Sequence, residues 1–101
     1  MEHVAVVAPV NPGSELTIYQ VAERYEALSE RLKRDGELQL DLSSVTDIDS
    51  AGIQLLLQLA HQAKQHSGTV SFLNPSTEVQ RMMALFRLST DFDTQQVQGE
   101  L

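Results

Sequence analysis

The part of the chain whose residue types are best suited to chemistry is residues 47–52, which read Asp-Ile-Asp-Ser-Ala-Gly. The Asp-x-Asp start and the glycine at the sixth position are typical of a calcium-binding loop, which also takes a bidentate glutamate from its twelfth position. Here the fifth position is Ala51 and the twelfth is Gln58. Because two of the required oxygen ligands are missing, we predict no calcium site in this segment.

Histidine is the side chain most often used for proton transfer and metal binding, and it occurs here as His3, His61 and His66. His61 and His66 lie five residues apart and therefore off a common helical face, whereas a zinc-binding helix uses a spacing of four. The chain also lacks the phosphate-binding loop, the dinucleotide-binding glycine pattern and the Gly-x-Ser-x-Gly nucleophile elbow. We expect surface histidines, no metal, no cofactor and no catalytic activity.

Ser50 remains a candidate functional residue because it lies at the predicted start of an apolar helix. In one interpretation, Asp49 or Ser50 is only a helix cap, whose side-chain oxygen accepts a backbone N–H of the first turn. In the other, Ser50 is phosphorylated and gains a charge of about −1.5 to −2, which a helix N-terminus accommodates but a docked partner would encounter. Asp47 and Asp49 would add to this charge, and Gly52 would let another surface approach the backbone. Local chemistry leaves both interpretations open.

Composition restricts the partners and the compartment. Of 101 residues, 14 are acidic and 7 are Lys or Arg, so the net charge of −7 argues against a nucleic-acid partner. The chain has no cysteine, which removes disulfides and thiol chemistry and is typical of a reducing compartment. No basic leader precedes an apolar stretch, and no apolar run approaches the ~20 residues that span a bilayer. We expect a soluble cytoplasmic domain without membrane insertion.

Hydrophobic periodicity indicates strands that alternate with helices. β-branched runs and period-two alternation predict strands at residues 4–8, 37–42, 45–48 and 69–73, with a brief extended piece at 14–16. Such alternation packs helices against a largely parallel sheet. We assign one domain to residues 1–93 and expect a polar, frayed tail at residues 94–101.

Local signals delimit three helices. Thr17 and Gln20 have the spacing of a capping box at the start of the first helix, which is predicted to end at Gly36. The second helix is predicted to run from residues 49–50 to about residue 67, with Gly68 as its left-handed stop. The third follows residues 74–76 and is predicted to bury four apolar side chains, namely Val79, Met82, Met83 and Phe86.

The order of these motifs resembles that of the STAS domain family, the anti-sigma-factor antagonists and their relatives. The family pattern is a strand ending in Asp-Leu-Ser, a short connection, Ile-Asp-Ser/Thr-x-Gly and a leucine-rich helix. The matching segments are residues 40–43 (Leu-Asp-Leu-Ser), 48–52 (Ile-Asp-Ser-Ala-Gly) and 55–57 (Leu-Leu-Leu), with similar flanks at 15–19 and 72–76. The resemblance covers residues 4–93 and implies an α/β fold with a mixed, mostly parallel sheet and helices packed mainly on one side.

The resemblance also implies a non-catalytic regulatory module that binds protein partners. Ser50, directly after the motif aspartate, is then the residue phosphorylated by a serine kinase of the histidine-kinase-like ATPase type and dephosphorylated by a phosphatase. The unphosphorylated form binds its partner, and phosphorylation weakens that binding, which is the mechanism called partner switching. The residues assigned to partner binding are Asp47, Asp49, Ser50, Ala51, Gly52, Ile53 and Gln54.

Two departures from the family pattern bear on the branch to which the chain is similar. Ser50 is followed by Ala-Gly-Ile-Gln rather than by Ser or Thr and then Gly-Leu-Gly, and Arg87-Leu88 stands where many members have glycine. Residues 15–19 (Glu-Leu-Thr-Ile-Tyr) and 49–52 (Asp-Ser-Ala-Gly) together resemble the stand-alone STAS proteins of bacterial chemotaxis clusters more than the sporulation antagonists. The alternative is a constitutive STAS subunit bound to the ATPase of a lipid ABC transporter, in which Ser50 is only a cap and a contact. The output pathway and the oligomeric state stay open.

Overall fold

The computed structural model describes residues 8–87. Its elements are β1 (Glu15–Leu16), α1 (Val21–Asp35), β2 (Glu37–Asp41), β3 (Asp47–Ile48), α2 (Ser50–Gln65), β4 (Thr69–Leu73) and α3 (Thr77–Leu85). This order confirms the predicted α/β class. The tail predicted at residues 94–101 lies outside the described residues, and so does the strand predicted at residues 4–8, except for Ala8.

Every strand pair in residues 8–87 is parallel. β2 pairs with β4 from Glu37 opposite Thr69 onward, and β1 pairs with β3, where Leu16 lies opposite Ile48. Parallel neighbours need a crossover connection, and in sequence α1 lies between β1 and β3 while α2 lies between β2 and β4. Because β1 and β3 are parallel, the turn that leaves β1 lies next to the start of α2, which follows β3.

The core lies where α1 and α2 pack against β2 and β4 and against each other. Period-two alternation buries Leu38 and Leu40 on β2 and Val70 and Phe72 on β4, as the sequence pattern predicts. The same layer includes Ile53 of α2, which is fully buried. Since the start of α2 is anchored in this layer, side chains exposed at its first turn stand on a rigid support.

Helix α3 packs against α2 and β3 through part of its predicted apolar face. Val79 and Met83 are buried as predicted, and Met82 is half-buried against the core. The prediction that Phe86 faces inward is wrong, because α3 ends at Leu85 and Phe86, its C-cap, remains 37% exposed. Within the described residues, no helix is long and apolar enough to cross a membrane.

Two of the predicted helix ends differ in detail. The Gln20 side chain accepts the Thr17 N–H at 2.9 Å, as in a capping box, but the helix begins one turn later at Val21. At the end of α2, the left-handed residue is Ser67 (φ 60°), so the prediction for Gly68 is wrong. Glycine suits position 68 for another reason, since a Cβ there would come within 2.9 Å of the Gly36 carbonyl oxygen.

Candidate functional site at the start of helix α2

Asp49 is the N-cap of α2, which decides between the two caps that the sequence left open. Its backbone is extended (φ −120°, ψ −170°), and its Oδ1 accepts the N–H of Gly52 at 3.1 Å. Ser50 is instead the first residue of the helix. A side-chain oxygen at this position satisfies one of the backbone donors that the first turn of a helix leaves without a partner.

The second carboxylate oxygen of Asp49 reaches across to a different element. Its Oδ2 accepts the N–H of Ile18 at 3.0 Å, from the turn that joins β1 to α1. This bond is the largest cause that lowers the pKa of Asp49, and the N–H groups of Gly52 and Ala51 lower it further. The carboxylate is therefore ionised at neutral pH and is occupied by the protein's own backbone.

Ser50 is exposed, and its hydroxyl makes no hydrogen bond within residues 8–87. It takes no part in capping α2, because Asp49 already has that role. The hydroxyl is thus accessible both to a modifying enzyme and to a docked partner, and either can use it without breaking a bond in the fold.

Gly52 and Ile53, both assigned to partner binding, lie inside the protein. A Cβ on Gly52 would overlap the carbonyl oxygen of Leu16 and come within 2.7 Å of Ile48 Cγ1. The surface that approaches Gly52 closely is therefore the protein's own strand β1, which corrects the expectation that Gly52 leaves its backbone open to a partner. Ile53 is fully buried in the core. Both residues support the site from beneath.

The other predicted residues lie at the surface, where two further side chains accompany them. Asp47, Ser50 and Gln54 are exposed, while Asp49 and Ala51 are half-buried. Beside them, in the turn held by Asp49, Ile18 is 61% exposed and Tyr19 is 89% exposed. This apolar pair is not among the residues predicted for the site, although the sequence contains one signal for it: both residues precede the apolar stripe of α1 and so have no place in its buried face.

A groove of about 480 Å³ opens between α1 and α2 next to Ser50. It is lined by Val21, Ala22, Tyr25, Ala51, Gln54, Leu55 and Gln58. The Tyr25 hydroxyl donates to Gln62 Oε1 at 2.8 Å, and the Ser29 hydroxyl donates to the same oxygen at 2.9 Å. The lining of the groove is mostly apolar. The two hydrogen bonds fix the tyrosine that forms one wall, so the groove is partly preorganised.

The charges around the site are negative. Glu15 lies opposite Asp47 in the β1–β3 pair, and Asp47 precedes the first residue of α2 by three residues. Residues 8–23 and 35–63, which contain both strands and most of α2, include no lysine or arginine. His61 is exposed on α2, as is His66 at its end, and residues 8–87 contain no cluster of three or more histidine or acidic side chains that could hold a metal ion.

Comparison with known proteins matches this architecture to one family. The family model described as "Mlab, STAS domain" matches residues 8–97. Among solved structures, that of the anti-sigma factor antagonist SpoIIAA in its unphosphorylated form has a TM-score of 0.64 and 19% sequence identity. The alignment covers 76% of this chain and 69% of that one, and at this identity the likeness establishes the fold. No curated protein has significant sequence similarity to the chain.

Proposed function

The chain belongs to the STAS domain family, and from this membership we propose that it is a non-catalytic regulatory module that binds a protein partner through the start of α2. The observation that carries the proposal is the exposed Ser50 hydroxyl, which stands free on a buried support. Ile18, Tyr19 and the groove beside Ala51 add apolar area to the same face. Apolar area with a few polar groups is what protein-binding surfaces usually offer.

Phosphorylation of Ser50 is the proposed switch. A phosphate would add a charge of about −1.5 to −2 to a face where Asp47, Asp49 and Glu15 are already acidic. A partner docked over Ser50 would have to bury that charge, which is costly without a cation to pair with it. Residues 8–23 and 35–63 contain no lysine or arginine that could supply such a cation, and the Arg24 guanidinium is engaged by the Pro12 carbonyl oxygen at 2.9 Å. Phosphorylation should therefore weaken binding while leaving the fold intact.

The proposed partners are a serine kinase resembling the anti-sigma-factor ATPases and a phosphatase that reverses its action. We further propose a cytoplasmic setting, in signalling that controls transcription or chemotaxis. These proposals rest on the family's pattern at Ile48-Asp49-Ser50, since the fold itself would serve equally well for another protein partner.

The test is a pull-down from native lysate with the full chain as bait, carrying wild-type Ser50, Ser50→Ala or Ser50→Asp. Mass spectrometry identifies the bound protein and any phosphate on Ser50. We expect one partner on the wild type and Ser50→Ala and at least a tenfold loss on Ser50→Asp, which corresponds to about 1.4 kcal/mol. Equal retention of that partner by all three baits would contradict the switch.

Thr77 provides a matched control for the added charge. It is the exposed first residue of α3, after the Ser76 cap, just as Ser50 is the exposed first residue of α2 after the Asp49 cap. Thr77→Asp adds the same charge at the same helical position of a different helix. It should leave the partner bound, and a loss equal to that of Ser50→Asp would point to net charge rather than to the site.

A constitutive subunit bound to the ATPase of a lipid ABC transporter is the second candidate. It is favoured by two observations: the matched family model is named for Mlab, and the face around Ser50 is complete without modification. In this case Ser50 is a contact residue only. Support for this candidate over the switch would be copurification of an ABC ATPase whose binding to the chain is unchanged by phosphatase treatment and does not depend on phosphate at Ser50.

A further inference from the structure

Asp49 connects Ser50 to the turn that carries the exposed apolar pair. Its two oxygens accept one N–H from each side, Gly52 at 3.1 Å in the first turn of α2 and Ile18 at 3.0 Å in the turn before α1. Along the chain, Gly52 is 3 residues away from Asp49 and Ile18 is 31 residues away. One ionised side chain, next to Ser50 in sequence, thus helps to hold residues 17–20 against α2, beside the Asp49 N–H that donates to the Leu16 carbonyl oxygen at 3.4 Å.

The turn has no other hydrogen bond to α2 within the described residues. Thr17 N–H donates to Gln20 Oε1, Tyr19 N–H donates to the Thr17 hydroxyl, and Gln20 Nε2 donates to Glu15, all within the same short stretch of chain. The turn therefore keeps its own shape if the Asp49 bond weakens. Its position relative to Ser50 would then be less restrained.

A phosphate on Ser50 would act directly on this bond. It would bring three strong acceptor oxygens to the first turn of α2, whose Ala51 and Gly52 N–H groups already face the Asp49 carboxylate. Two anions would then compete for the same few donors and repel each other. The bond to Ile18 is the one whose loss releases a second element, because the bond to Gly52 lies within the helix start itself.

We propose that residues 17–20 form a second part of the partner surface and that Asp49 makes their position depend on whether Ser50 carries phosphate. This inference rests on the proposed function and specifies how the modification is sensed. Asp49 is then a positioning residue, since both of its oxygens are engaged by backbone N–H groups rather than offered to a partner.

The chemistry of this surface defines the part of the partner that it fits. Ile18 and Tyr19 present apolar area at 61% and 89% exposure, next to the acidic residues Asp47 and Glu15. A cationic partner face would be attracted by the new phosphate, and its binding would strengthen. Release on phosphorylation requires an uncharged, apolar face at this point. The occupant is therefore an apolar face of the protein that docks over Ser50.

Amide hydrogen exchange of the full chain tests the coupling without any partner. Phosphoserine is incorporated at position 50 during translation, and exchange at the Ile18 N–H is compared with that of the wild type and of Ser50→Ala. We expect about a tenfold or greater acceleration at Ile18 with phosphate only. The N–H groups of Asp41 and Leu42, bonded to Val10 and Leu73, are internal references that should not change.

Asp49→Asn is the companion variant. It keeps the size of the side chain and one acceptor oxygen but loses the charge, so it should accelerate exchange at Ile18 without phosphate and reduce the further effect of phosphate. Unchanged exchange at Ile18 on phosphorylation, with the reference amides also unchanged, would overturn the coupling. A uniform rise at all three amides would show general destabilisation and would overturn it as well.

Binding assays on the partner retained by Ser50→Ala test the contact itself. Tyr19→Ala should weaken binding about tenfold or more, because exposed aromatic residues often dominate interfaces. Leu85→Ala, which removes a 70% exposed side chain from α3, is the control and should have no effect. If phosphate releases the partner while exchange at the Ile18 N–H stays unchanged and Tyr19→Ala binds as tightly as the wild type, the proposed function stands and this inference fails. If exchange at Ile18 responds but Ser50→Asp retains the partner, the proposed function fails.

Discussion

Helices α2 and α3 begin in the same way but serve different purposes. In each, the N-cap side chain accepts the N–H of the third helical residue, Asp49 from Gly52 at 3.1 Å and Ser76 from Val79 at 3.2 Å. In each, the first helical residue carries an exposed hydroxyl. The difference lies in the cap side chain, because that of Asp49 also accepts the N–H of Ile18, whereas that of Ser76 bonds only within its own helix start among the described residues. The backbone N–H of Ser76 donates to the Leu42 carbonyl oxygen at 3.3 Å.

The third helical position shows the same contrast. Position 79 of α3 holds a fully buried valine, but position 52 of α2 has no room for even a methyl group beside the Leu16 carbonyl. The start of α2 is thus seated directly on β1, and a change at its first turn acts on a second element. A helix cap becomes a candidate switch only when its side chain is coupled to a second structural element. The local sequence pattern does not reveal that coupling.

Gly52→Ala should produce the largest effect. The new methyl group would overlap backbone rather than a flexible side chain, so the helix start or β1 must shift. We expect a loss of about 3 kcal/mol or more in the free energy of unfolding, typical of severe overpacking against a rigid neighbour. Urea unfolding followed by circular dichroism measures it.

Gly36→Ala is the matched control for this substitution. Gly36 has a positive φ of 74°, but nothing lies within 4 Å of a Cβ placed there. The cost should be limited to the backbone conformation, at about 1 kcal/mol. If Gly52→Ala is no more destabilising than Gly36→Ala, the close seating of α2 on β1 is wrong.

These two regions also show how far the sequence alone could predict the molecule. Period-two and helical patterns predicted β2, β4 and the three helices, because burial repeats along the chain at the spacing of each element. The motif at 48–52 located the site, but whether Asp49 or Ser50 is the cap depends on backbone angles. That Gly52 faces β1, and that Ile18 meets Asp49, depends on contacts between segments 31 or more residues apart. Local patterns contain no information on such contacts.

Removing the two caps should distinguish the two helix starts. Asp49→Ala deletes acceptors for both Gly52 and Ile18, whereas Ser76→Ala deletes one acceptor for Val79. Loss of a cap typically costs about 1 kcal/mol, and a second charge-assisted bond adds about as much again. We expect about 2 kcal/mol for Asp49→Ala and about 1 kcal/mol for Ser76→Ala, measured by urea unfolding at neutral pH. Equal losses would show that the bond to Ile18 contributes nothing to stability.

The smallest effect is a dependence on pH that belongs to α2 and is absent from the uncharged cap of α3. The Ile18 N–H, and then those of Gly52 and Ala51, lower the pKa of Asp49 below its ordinary value of 3.8. The unfolded chain therefore takes up a proton at this group before the folded chain does, so stability falls as pH decreases below about 4. Asp49→Asn cannot titrate, and its stability deficit relative to the wild type should shrink over that range. Asp41 titrates in the same direction, because the hydroxyl and the N–H of Ser43 lower its pKa, and Asp41→Asn should act additively. Urea midpoints between about pH 7 and pH 3 provide the measurement, and parallel curves for the wild type and Asp49→Asn would show that the carboxylate is not held by these N–H groups.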